Sequence, residues 1–175
     1  MDVNAVIARL ENFEGRTTYM YRCTGGEVTV GIGHAIPSAA DAAQLTWATS
    51  VDSAQTDFAS VAAAEKGKLA SSYQPLTTCR MNDDGIDALA AADVARFTGL
   101  LEAAFPNWNR YPAPAQEAMF DMAYNLGIGG LQKFHNMLAA VDAGQWEIAA
   151  QQCHRMGIGD ARNEETAALF RQAAE

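Results

Sequence analysis

Apolar positions recur along this chain in two rhythms, and the changes between them mark out its elements. Val6, Ile7, Leu10 and Phe13 fall at three- and four-residue steps, which predicts an amphipathic helix over residues 3–13. Two runs rich in Thr, Tyr and Val follow at 17–21 and 27–32, separated by Thr24-Gly25-Gly26. Such runs around a Gly-Gly turn predict a β-hairpin. Pro37-Ser38 then opens a short Ala-rich segment, and Ser50-Val51-Asp52 has the composition of a helix start. Val51, Ala54, Phe58 and Val61 would share the inner face of that helix, which runs toward Gly67. Ser71-Ser72, Pro75 and Thr77-Thr78 make 68–81 read as loop.

The second half of the chain is helical in pattern throughout. Asn82-Asp83-Asp84 caps a longer helix whose Ile86, Leu89, Val94, Phe97, Leu101 and Phe105 point inward before Pro106. Further helices are predicted at 115–126, closed by Gly127, at 131–141, closed by Gly144, at 145–155, and from Asn163 onward. The pattern predicts a mainly helical α+β fold of one domain, with one small sheet.

Composition narrows the function. A net charge of −9 argues against nucleic acid, whose binding depends on Lys and Arg at phosphates. No apolar run approaches the ~20 residues of a membrane span, so none is expected. Three cysteines, Cys23, Cys79 and Cys153, are too few for a disulfide framework. The histidines are scattered and there is no CxxC, so no metal site is expected. The N-terminal stretch lacks the basic start and apolar run of a signal peptide. The expectation is a chain made in the cytoplasm that is delivered to its target by another agent, or a piece of a larger protein.

The candidate chemistry gathers between Glu14 and His34. Glu14-Gly15 ends the first helix, since Gly tolerates the left-handed conformation of a C-terminal cap. That places a carboxylate opposite the hairpin, as one wall of a cleft. Gly31 and Gly33 leave the second strand almost bare, as where another group approaches closely. Glu14 is followed after eight residues by Cys23 and after five more by Thr29, and Gly31-Ile32-Gly33-His34 completes the stretch.

This arrangement resembles the phage-type lysozymes, whose signature is Glu, eight residues, Asp, five residues, Thr, then Gly-x-Gly-His. Only the central aspartate is replaced, by Cys23. The resemblance implies a two-lobed fold: a β-hairpin lobe holding 14–34, a bridging helix at about 83–105, and a helical lobe at about 106–175. It implies hydrolysis of the β-1,4 bond between N-acetylmuramic acid and N-acetylglucosamine in peptidoglycan, by a monomer and without a cofactor. Glu14 would be the general acid and Thr29 would position the attacking water. His34 would form a structural pair with Asp93 on the bridging helix. Asn125 would contact the glycan, and Arg162 would pair with Glu14.

Cys23 is the open question. An unperturbed thiol has a pKa near 8.5 and is mostly neutral at pH 7, whereas an aspartate is ionised. Arg22 and Arg16, close in sequence, would favour a thiolate acting as base or nucleophile. Otherwise Cys23 only fills space, and Glu27 is a weaker substitute base. Glu11, one turn before Glu14, reads as a solvated charge. Two other functions compete with the hydrolase: a lytic transglycosylase, which needs a single carboxyl, and an inactive peptidoglycan-binding module. A phage endolysin and a bacterial toxin or effector domain share the hydrolytic chemistry. The delivering partner, a holin or a secretion apparatus, is unspecified.

Overall fold

The computed structural model describes all of residues 1–175. Nine α-helices and a three-stranded antiparallel sheet divide into two compact units. One comprises Ile7–Asp93; the other comprises Met1–Val6 with Val94–Glu175.

The Ile7–Asp93 unit holds the sheet. Helix α1 (Val3–Glu14) stops at Gly15, whose φ of 74° lies in the left-handed region and whose N–H donates to Glu11 O at 2.9 Å. Strands β1 (Thr17–Arg22), β2 (Val28–Gly31) and β3 (His34–Ile36) follow in spatial order. Both sheet pairings are antiparallel, with a register irregularity between Thr17 and Tyr21. As the central strand, β2 has all four of its residues buried. The two-stranded hairpin expected from sequence therefore gains a third strand. Three residues are too few to display a period-2 pattern, so β3 left no signal.

Ser38 caps helix α2 (Ala39–Gln44), accepting from Asp41 N at 3.2 Å. Helix α3 (Ala54–Ala63) follows a 3-10 turn at Val51–Ser53. Ser50, expected as an N-cap, instead adopts φ 53° with no side-chain cap bond, and Val51 is exposed. The segment expected as loop contains a 3-10 helix, Ala70–Leu76. Its Tyr73 is buried and donates through its hydroxyl to Glu65 O at 2.7 Å. The buried Asp57 carboxylate then accepts from Thr78 N and Cys79 N at 2.7 and 2.8 Å. Ser, Thr and Pro gave this stretch its loop-like composition, but tight internal turns satisfy part of its backbone and Tyr73, Thr77, Cys79 and Met81 join the core.

Helix α4 (Asp83–Ala104) begins where Asn82 Oδ1 accepts from Gly85 N at 3.0 Å, and it runs on from one unit into the other. In the second unit, Pro112 precedes α5 (Ala113–Leu126), with Pro114 near its start, where the absent N–H costs nothing. There follow α6 (Ile128–Leu131), α7 (His135–Asp142), α8 (Trp146–Gln152) and α9 (Asp160–Gln172). The helix expected at 131–141 is thus two pieces broken at 132–134, the one expected at 145–155 ends at Gln152, and α9 starts three residues before Asn163. The core of this unit is Leu101, Trp108, Met119, Phe120, Met122, Leu131, Met137 and Phe170, all nearly solvent-free. No helix is long and apolar enough to cross a membrane.

Candidate active site

The hairpin and the end of α1 bring five polar groups of the first unit together. Glu14 sits on the last turn of α1. A Cβ built on Gly33 would stand 3.1 Å from Glu14 Cγ and 3.3 Å from its Cβ, and Gly33 has φ +74°. Any other residue there would press on the carboxylate's own stem, so the second glycine of the motif seats Glu14. Gly31, by contrast, faces Ile86 and Leu89 at ordinary contact distances, and its φ of +65° is its main demand.

Facing Glu14 is one side of the hairpin. Tyr21 and Thr29 are partners across β1 and β2. The Tyr21 hydroxyl is pushed up to about 12, first by burial and then by the nearby charges of Glu14 and Cys23. Thr29 is buried and donates through Oγ1 to Glu27 O at 3.3 Å, which leaves its lone pairs to accept from water. Cys23 closes the turn: its N–H donates to Glu27 O at 2.9 Å, and Gly26 N donates to Cys23 O at 3.0 Å. The Cys23 thiol is half-buried and donates to Glu27 Oε2 at 3.0 Å.

The arginines expected to act on that thiol are committed elsewhere. Arg16 donates to Glu11 at 2.9 and 3.1 Å, and reaches Asp83 at 3.3 Å and Asp87 at 2.5 Å. These partners hold its pKa above the ordinary guanidinium value. Glu11 is therefore an ion-pair partner tying α1 to the start of α4, not a solvated charge. Arg22 donates to Gly26 O at 2.9 Å and Ala64 O at 2.5 Å. Behind the sheet, His34 Nδ1 lies 2.7 Å from Asp93 Oδ2, with the aspartate side chain 5% exposed.

The remaining two candidates belong to the second unit. Asn125 is partly buried on the last turn of α5, and its Oδ1 is buried without a hydrogen-bond partner. Arg162 is buried rather than solvent-facing, and its Nε and Nη2 donate to Asp121 Oδ1 at 3.0 and 2.8 Å. The other oxygen of Asp121 accepts from Arg155 Nη2 at 2.8 Å and from Thr166 Oγ1 at 3.1 Å. Asn163 pins Arg155 by accepting from its N–H and donating to its C=O, both at 3.0 Å. Asp121, Arg155 and Thr166 escaped the sequence reading. Their signal was Asp121 itself, a charge inside the apolar run Met119-Phe120-Asp121-Met122, which can be buried only with a partner.

Phage lysozymes match this chain over residues 11–175. The chain belongs to the phage lysozyme family. A 44-residue stretch is also 43% identical to the pre-baseplate central spike protein Gp5 of Enterobacteria phage T4. That match covers 25% of this phage lysozyme and only 8% of the spike protein. Nowhere in this phage lysozyme do three or more His, Cys, Asp or Glu side chains gather as metal ligands would.

Proposed function

We propose that this phage lysozyme is an N-acetylmuramidase, a glycoside hydrolase that cleaves the β-1,4 bond between N-acetylmuramic acid and N-acetylglucosamine. The observation carrying this reading is Glu14, seated on Gly33 at a helix end and facing the hairpin side that holds Tyr21, Cys23 and Thr29. Glu14 protonates the departing glycosidic oxygen as the anomeric carbon gains oxocarbenium character. Thr29 orients the attacking water through its free lone pairs. In the other unit, Asp121 holds Arg162 still, and the unpartnered Asn125 Oδ1 is a candidate acceptor for a glycan N–H or O–H. The His34–Asp93 pair fixes the start of β3, directly after Gly33, relative to α4. A wall-degrading enzyme of this kind serves a phage endolysin or an antibacterial effector equally well.

The replacement of the motif's aspartate by Cys23 favours one second reading, a lytic transglycosylase that works with a single carboxyl. Product mass separates the two. Digestion of purified walls should release fragments with reducing N-acetylmuramic acid ends. Fragments lighter by one water, with a 1,6-anhydro ring, would instead establish the transglycosylase, and an inert wall preparation would leave only a binding module.

A further inference from the structure

The hairpin tip carries a carboxylate that the motif does not count. Side chains alternate across a strand, so Tyr21 and Cys23 share a side of the hairpin, and so do Glu27 and Thr29. The pairing of Tyr21 with Thr29 makes these the same side. The Cys23 N–H bond to Glu27 O continues that register into the turn as one more rung. Three features then hold the Glu27 side chain in place. The Cys23 thiol donates to Oε2 at 3.0 Å. The charge of Lys66 lies close enough to act on the carboxyl. Gly25 leaves the space the carboxyl occupies, since a Cβ there would collide with Oε2.

Sγ stands at the γ position, where an aspartate at this point of the motif would carry its carboxyl carbon. Glu27 brings a carboxylate oxygen within one hydrogen bond of that position, by a route four residues longer in sequence. We propose that Glu27 is the catalytic base of this lysozyme, and that Cys23 is a positioning residue whose thiol holds the Glu27 carboxylate toward the site. The proposal rests on the glycosidase reading above.

The step balances. Glu27 takes a proton from a water bound to Thr29, and the water oxygen bonds to the anomeric carbon. The glycosidic C–O bond breaks, and its oxygen takes the proton of Glu14. Glu27 is left protonated and Glu14 ionised, and solvent exchange restores both. The Cys23 hydrogen bond is the first cause that holds Glu27 below its ordinary value of 4.5, so the base is ionised at neutral pH.

The test measures reducing ends released from purified glycan strands by the parent and by folded variants, with circular dichroism as the control for folding. Glu27→Gln keeps an acceptor for the thiol but removes the base, and should lower kcat about 100-fold at nearly unchanged KM. Azide, which needs no base, should restore turnover and appear in the product as a glycosyl azide. Returning the carboxylate to the motif position, in Cys23→Asp/Glu27→Gln, should recover at least about tenfold over Glu27→Gln. Cys23→Ser keeps a donor and should stay near the parent. Cys23→Ala removes it, and should move the acid limb of kcat/KM to higher pH; of the groups around Glu27, only Cys23 is altered, with Lys66 and Arg22 retained. Glu27→Gln within about threefold of the parent would overturn the proposal and leave the glycosidase reading standing. Full loss in Glu27→Gln with neither azide product nor recovery in the double variant would also overturn it, since the residue would then be structural. A parent that releases no reducing ends would remove the glycosidase reading itself, and this proposal with it.

Discussion

The two units each hold a cluster built around a carboxylate, and the clusters differ in what water can reach. In the second unit, Asp121, Arg155, Arg162 and Thr166 are all buried, and both oxygens of Asp121 are engaged by donors. At the hairpin, Cys23 is half-buried and Glu27 exposed, joined by one bond at 3.0 Å. A buried cluster cannot exchange protons readily, and losing one member strands a charge in low dielectric. An open cluster contributes little to stability but can give and take protons. The first holds two guanidinium groups still; the second stays open to water.

Substitutions should separate the two kinds of cluster. Glu14→Gln should lower glycan hydrolysis about a thousandfold, the effect of deleting a general acid, while the thermal midpoint stays within a degree or two of the parent. Hydrolysis within about tenfold of the parent, with an unchanged circular dichroism spectrum, would refute the acid assignment. Asp121→Ala should behave in the opposite way. It leaves Arg155 and Arg162 without their shared anion, and should cost about 3 kcal/mol in urea denaturation. A loss below about 1 kcal/mol would show that the cluster relaxes and is no rigid clamp.

His34→Ala lies between these extremes, because the pair is only partly buried, and should cost about 1–2 kcal/mol with activity falling in parallel. Activity that survives intact in this variant would remove any role for the pair in setting the hairpin. Alkylation should discriminate among the three thiols. Burial pushes Cys79 up to about 11, with the Asp57 carboxylate adding to the rise, and burial also raises Cys153, so both should stay unmodified. Iodoacetamide should label Cys23 alone and suppress hydrolysis, and peptide mapping that finds Cys79 labelled first would contradict this order.

The smallest effect is a pH dependence. Glu27 has a depressed folded-state value, so its contribution to stability is present above the ordinary value of 4.5 and is lost as pH falls through the lower folded one. Because Glu27 is exposed, Glu27→Gln should flatten the acid limb of the melting profile only slightly. A steeper acid limb in the variant would reverse the sign of the argument.

What could be read from the sequence was local. The helix ending at Glu14, the Gly-Gly turn and the Glu14–Cys23–Thr29 spacing all lie within sixteen residues, where periodicity and turn chemistry act directly. His34 and Asp93, 59 residues apart, could be joined only through likeness to a family. The Asp121 cluster spans 45 residues, and no local rule says which arginine meets which aspartate. The 3-10 helix at Ala70–Leu76 was hidden because Ser and Pro mark loops and tight helical turns alike. Cys23 misled for a further reason. Its sequence neighbours are arginines, but strand alternation and hairpin pairing give it a carboxylate from across the turn instead.

Gly33 has a consequence for how this protein tolerates variation. The connection from β2 to β3 is two residues long, Ile32-Gly33, and the same φ of +74° that turns the chain also leaves the space in which Glu14 stands. A library selected for thermal stability and one selected for wall lysis should therefore reject the same substitutions at position 33. At position 27 the two selections should disagree, since the exposed Glu27 side chain adds little to stability. Comparing the two libraries position by position would map, without any structure, where architecture and chemistry share a residue and where they part.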